Sequence, residues 1–118
     1  MLTVEVIEQD AAMRALLSEW LAGDGYRVHA CAAIGAVATA DVDAVVVDLP
    51  NLPQQGAETI RRLKTVHAQA PLIGLSTQVD ADAGSRLARS LGLARLVAKP
   101  CSRSVLLSAV ADALGRAS

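Results

Sequence analysis

Aromatic side chains are almost missing from this sequence: one Trp, one Tyr and no Phe occur among its 118 residues. A platform for stacking nucleobases is thereby excluded, and any core must be assembled from Ala, Val, Leu and Ile. Cysteine is scarce as well. Cys31 and Cys101 stand far apart, without a Cys-x-x-Cys pair or a Cys/His cluster at ligand spacing. Structural zinc is therefore not expected, and both read as small, partly buried apolar residues of a reducing compartment. No apolar run reaches the roughly 18 to 20 residues that span a bilayer, and the N-terminus enters a strand pattern at once, without a basic stretch and an apolar one ahead of it. Nor does one sign of charge dominate. A formal net charge of −1 gives no broad attraction to nucleic acid or to an anionic membrane. A cytoplasmic domain is the expectation, and the chain length suits one substantial core without a second globular unit, so residues 1–118 are read as a single domain.

What is present is a regular alternation of apolar patterns. Leu2-Thr3-Val4-Glu5-Val6-Ile7 is short and β-branched and stops at Glu8-Gln9-Asp10, as a strand ending in carboxylates would. Met13, Leu16, Leu17, Trp20 and Leu21 then recur at spacings of three and four, with Asp10 placed as N-cap and Gly23 and Gly25 at the exit; the spacing predicts an amphipathic helix. A short alternating segment, Tyr26 to Ala30, precedes an Ala-rich stretch from Ile34 to Ala40 with length for about two helical turns. Asp43-Ala44-Val45-Val46-Val47-Asp48 is apolar on both faces, the mark of a central parallel strand. Pro50 and Pro53 predict a loop after it, with a helix from Ala57 to about Gln69. Leu72 to Leu75 reads as a fourth strand entering Ser76-Thr77, and a helix from near Asp82 to Leu91 ends at Gly92. Arg95 to Ala98 forms a fifth strand before Lys99-Pro100. A last helix, capped by Ser102 and running to about Leu114, is expected to bury Val105, Leu106, Ala109, Val110 and Leu114. Five strands alternating with five helices imply an α/β fold, a parallel sheet covered on both faces. His29 and His67 read as ordinary, partly exposed residues, and the arginines at 61, 62, 86 and 89 as solvated helix faces.

In such sheets the functional site lies at the carboxyl ends of the strands. Those ends carry Glu8-Gln9-Asp10, Asp48, Ser76-Thr77 and Lys99. A carboxylate is a competent nucleophile toward phosphorus when a divalent cation and a lysine neutralise the charge building on the phosphoryl oxygens and a hydroxyl binds one of them.

The order of these residues resembles the response-regulator receiver domain (CheY-like) family over essentially the whole chain. The Gly25-Tyr26-Arg27-Val28 segment, Gly56, Gly92 and the Lys99-Pro100 pair add to the resemblance. It implies a flavodoxin-like (βα)5 doubly wound sheet of order 2-1-3-4-5, not an enzyme beyond its own phosphorylation and dephosphorylation. Asp48 would be the phosphoacceptor, Lys99 the phosphoryl-contacting amine, and Ser76 or Thr77 the switch hydroxyl; Ser76 is favoured because it directly follows Leu75. Mg2+ would be the cofactor, held by Glu8, Asp48 and the backbone carbonyl of Pro50. The partners would be a histidine kinase or phosphotransfer protein and a downstream protein meeting the last two helices and fifth strand, with homodimerisation left open. The Lys-Pro bond would be cis.

Three positions depart from the family pattern. Gln9 stands where a second acid is expected, a weak candidate ligand whose neutral amide predicts weaker Mg2+ binding. Asp10 is placed to compensate, although capping explains it more simply. The loop Leu49-Pro50-Asn51-Leu52-Pro53 is reshaped, and Leu96 occupies the aromatic switch position, so rotation of a ring cannot be the output. A pseudo-receiver working through protein contacts without phosphotransfer is the alternative. A nucleotide-binding enzyme is disfavoured, because Glu8-Gln9-Asp10 follows the first strand where a glycine-rich phosphate loop would be needed.

Overall fold

A computed structural model describes residues 1–35, 41–79 and 81–116, those at 81–85 by their backbone alone. The chain runs β1 (Thr3–Ile7), α1 (Ala11–Gly23), β2 (Arg27–Cys31), β3 (Ala44–Asp48), α2 (Leu52–Val66), β4 (Leu72–Ser76), α3 (Ala81–Leu91), β5 (Arg95–Ala98) and α4 (Arg103–Ala113). All strand pairs are parallel, in the order β2-β1-β3-β4-β5. This is the α/β fold expected from the alternation of patterns. Of the Ala-rich helix expected at 34–40, residues 36–40 lie outside the described residues, and Ile34 and Gly35 are not helical.

Period-two alternation along the strands divides the interior into two cores. Val4 and Val6 of β1, Val46 of β3 and Ile73 and Leu75 of β4 face α1 and α4, packing on Leu17, Leu21, Leu106, Ala109 and Val110. Val45, Val47 and Leu72 face the other way, onto Leu52, Ile60 and Leu63 of α2 and Ala88 of α3. β3 is buried on both sides because it is the middle strand, which is why its sequence is a continuous apolar run.

The helix ends follow their caps. Asp10 accepts a hydrogen bond from Met13 N at 2.8 Å and opens α1, and Ser102 does the same for α4 through Val105 N. α3 stops at Gly92, whose φ of +78° lies in the left-handed region.

Three expectations need correction. α2 begins at Leu52 rather than Ala57, with Pro53 inside its first turn. A proline there is tolerated because the first-turn N–H groups have no intrahelical acceptor. Val105 is 46% exposed and Leu16 39%: each sits about 100° around its helix from the buried Leu106 or Leu17, beyond the edge of the inward stripe. Tyr26 precedes β2 rather than joining it, and its side chain enters the α1/α4 core.

Candidate functional site at the strand ends

The carboxyl edge of the sheet is tied together by backbone hydrogen bonds between loops. Glu8 N donates to Cys31 O at 3.1 Å, Leu49 N to Leu75 O at 2.8 Å and Lys99 N to Ser76 O at 2.9 Å. The residues that leave β1, β3, β4 and β5 are thereby held in one layer. Arg14 of α1 adds a clamp, its guanidinium donating to the Glu8 carbonyl at 2.8 Å and to that of Gln9 at 3.4 Å. The Lys99–Pro100 peptide bond is cis.

Within this layer the Lys99 ammonium bridges two acids. Its Nζ donates to Glu8 Oε1 at 2.8 Å and to Asp48 Oδ1 at 3.0 Å. The three side chains retain only 15% (Lys99), 2% (Glu8) and 14% (Asp48) of their exposure, so water screens the pair little. Burial acts against the ammonium, but hydrogen bonds and charge attraction from Glu8 and Asp48 outweigh it and raise the Lys99 pKa above its ordinary value. The amine is firmly a cation.

Ser76 closes β4 and is fully buried, while Thr77 is exposed. Strand geometry produces this difference, because consecutive side chains leave a strand in opposite directions. Ser76 Oγ accepts from Gln78 N at 3.0 Å. Gln9 and Pro50 are both exposed in their loops. Asp10 is occupied in capping α1, its backbone N donating to Glu8 Oε2 at 3.5 Å. Glu8, Asp48 and Lys99 are therefore brought into contact, Ser76 lies buried on the same edge, and Gln9, Pro50 and Thr77 face solvent around them.

Glu8 and Asp48 offer hard, anionic oxygen donors, the type a divalent cation such as Mg2+ takes. Two carboxylates and a loop carbonyl are what Mg2+ takes when it keeps several waters. Among the described residues no group of three or more His, Cys, Asp or Glu side chains is arranged to hold a metal ion. No described helix is long and apolar enough to cross a membrane.

Two polar arrangements were not expected from the sequence. Gln78 Oε1 accepts from Leu52 N at 2.9 Å, tying the β4–α3 loop to the start of α2. Glu5, buried in β1, accepts from His29 Nδ1 at 3.1 Å and His67 Nε2 at 2.6 Å. His67 is thus a buried partner of an acid rather than an ordinary partly exposed residue. The only available sign was Glu5 itself, an acid in the middle of an apolar strand.

Residues 4–111 match the response regulator receiver domain family. The chain belongs to that family. It is 31% identical over 115 residues to the regulatory protein VirG of Rhizobium radiobacter, a match covering 94% of this chain and 43% of VirG. It is 33% identical to VirG of Agrobacterium fabrum, covering 45% of that protein. The receiver sequence therefore spans less than half the length of the curated relatives it matches. Among solved structures it resembles a CheY-like receiver domain protein from Methanospirillum hungatei JF-1, with a TM-score of 0.79 at 18% identity, covering 98% of this chain and 94% of that one. It also resembles a response regulator protein from Burkholderia multivorans, with a TM-score of 0.68 at 30% identity and coverage of 100% and 98%. A receiver is a two-component signalling domain rather than an enzyme; receivers typically bind Mg2+ and imply a histidine kinase partner.

Proposed function

We propose that this chain is a receiver unit over residues 1–118 that accepts a phosphoryl group on Asp48 from a histidine kinase or phosphotransfer protein and passes the change to another protein in the cytoplasm. The observation that carries this reading is the Lys99 ammonium held between the Glu8 and Asp48 carboxylates. In the reaction a carboxylate oxygen of Asp48 attacks phosphorus, the bond from phosphorus to the donor nitrogen breaks, and the imidazole leaves with its electron pair and takes up a proton. Lys99 stands where it offsets charge on the phosphoryl oxygens, and the buried Ser76 hydroxyl is the donor to one of them; exposed Thr77 is the weaker candidate.

Glu8, Asp48 and the Pro50 carbonyl are the residues that would hold Mg2+, with the Gln9 amide as a poor fourth ligand. When bound, the ion supplies further neutralisation of phosphoryl charge. The Gln9 amide makes this an atypical receiver with one acid fewer than the family pattern, so weaker Mg2+ binding is expected. Downstream contact is assigned to the face of α3, β5 and α4, where a groove of about 610 Å3 runs past Leu93, Leu96, Pro100 and Val105.

Incubation with acetyl phosphate and Mg2+, read by intact mass, should add one phosphate, and Asp48→Ala should abolish it. No added mass at saturating Mg2+ would overturn phosphotransfer. That result would favour the second reading, a phosphorylation-independent interaction module, for which Gln9 is the specific motive. A magnesium titration distinguishes the two, because only the first requires a binding curve that Glu8→Gln weakens.

A further inference from the structure

The start of α2 is completed from outside the helix. Asn51 is its N-cap, yet the Asn51 side chain makes no capping hydrogen bond. Gln54 N and Gln55 N both reach the Asn51 carbonyl, at 3.2 and 2.7 Å, and Pro53 has no N–H to satisfy. That leaves Leu52 N as the remaining donor of the first turn, and Gln78 Oε1 accepts from it at 2.9 Å. The residue that fills the capping role therefore sits in the β4–α3 loop, two positions beyond Ser76. The same residue's backbone N–H is bound to Ser76 Oγ at 3.0 Å.

We infer that Gln78 is a positioning residue coupling the Ser76 hydroxyl to the N-terminus of α2, so that the state of Asp48 is transmitted to that helix. The inference rests on the reading of Asp48 and Ser76 given above. A phosphoryl group on Asp48 draws the Ser76 hydroxyl toward its oxygens as a charge-assisted donor. Gln78 N–H is bound to that same hydroxyl oxygen, so reorientation of Ser76 changes the set of the Gln78 backbone and carries its side-chain amide relative to Leu52. Leu52 N–H then shifts or loses its acceptor. At the position where the family uses an aromatic ring this chain has Leu96, which packs over Gly74, where a Cβ would lie 3.0 Å from the Leu96 Cδ1 atom, so no ring rotation takes part.

The test is amide NMR of the full chain with Mg2+, with and without beryllofluoride as phosphoryl mimic, on the wild type, Gln78→Ala and Gln78→Glu. The 19F signal of bound mimic reports separately on the site itself. The expected result is mimic binding in all three proteins, with the Leu52 and Gln55 amide resonances responding in wild type and in Gln78→Glu, which keeps an acceptor. In Gln78→Ala the Leu52 amide should exchange with solvent several-fold faster before the mimic is added and respond little afterwards. Binding of the mimic without a Leu52 response in wild type, or with an unchanged response in Gln78→Ala, overturns the coupling and leaves the phosphoacceptor reading intact. Absence of bound mimic in the wild type overturns that reading, and the coupling with it. Gln78 is exposed, so its replacement leaves the fold in place for the measurement.

Discussion

Replacing Lys99 by Met removes the one charge that the Glu8 and Asp48 carboxylates share while keeping most of the side chain's apolar length. Removing one partner of a fully buried ion pair is destabilising by about 3–5 kcal/mol, because the other charge is left uncompensated. The site is not uniformly buried. Asp48 keeps 14% of its exposure and regains some water, whereas Glu8, at 2%, cannot. The orphaned Glu8 therefore dominates, and we expect a loss of about 2–3 kcal/mol, equivalent to roughly 8–12 °C in Tm for a domain of this size. Urea unfolding followed by the fluorescence of Trp20, which packs against the α1/α4 core, measures it. If the orphaned carboxylate is the cause, Lys99→Met combined with Glu8→Gln should recover more than half of the loss. A loss below about 0.5 kcal/mol, within the range of ordinary surface substitutions, or one that Glu8→Gln leaves untouched, refutes the reasoning.

Three further outcomes are expected from the Lys99 contacts, the turn at Gly92 and the Glu5–His67 pair. Lys99 has its pKa raised above an ordinary 10.5, so its contribution is complete below that pH and disappears as pH climbs through the folded-state value. The urea midpoint of wild type should fall faster in that alkaline range than that of Lys99→Met, and parallel curves would count against the pairing. Gly92→Ala should destabilise by about 1 kcal/mol through the left-handed backbone; its Cβ would also meet Lys64 Nζ, but that flexible tip moves aside. Gly92→Asn should lose less, and an equal loss in both variants would argue against a backbone origin. His67→Ala takes away the Glu5 partner at 2.6 Å and should lower stability by about 1–3 kcal/mol, with His67→Gln recovering part; an unchanged urea midpoint would show that the contact is not stabilising.

Strands and caps were legible in the sequence because each rests on a local pattern. Ala44–Asp48 is a short apolar run with an acid at its end, and its burial on both faces follows from its place in the middle of the sheet. Asp10 and Ser102 were legible as caps because the cap bond joins residues three apart. The start of α2 was not, since Pro53 breaks a helix interior but is accepted in a first turn, and sequence alone does not say which applies. Val105 and Leu16 are apolar and adjacent to the inward stripe, so periodicity assigned them inward when one step of helix turns them out. The contact of Glu8, Asp48 and Lys99 was legible through the strand-end rule for parallel sheets and the resemblance to receivers. The roles of His67 and Gln78 were not legible: each side chain bonds one group on another element, and such a bond leaves no period in the chain.

The two faces of the sheet differ in a way that bears on signalling. On the α1/α4 side the core is a buried apolar cluster that includes Leu17 and Leu106, and close packing leaves such residues little room to shift. On the α2/α3 side the apolar cluster is interrupted by polar ties: Glu5 to His67 at the end of α2, and Gln78 to Leu52 at its start. Exchanging one hydrogen-bond acceptor for another, or for water, changes the balance by only about 0.5–1.5 kcal/mol. A phosphoryl group on Asp48, as proposed, would bring a few charge-assisted contacts, each of the order of 1.5–3 kcal/mol. That is enough to re-seat α2 through its terminal ties. Conformational change is therefore expected to begin at the terminal ties of α2 and in the β4–α3 loop, beside the face of α3 and β5 assigned to the downstream partner.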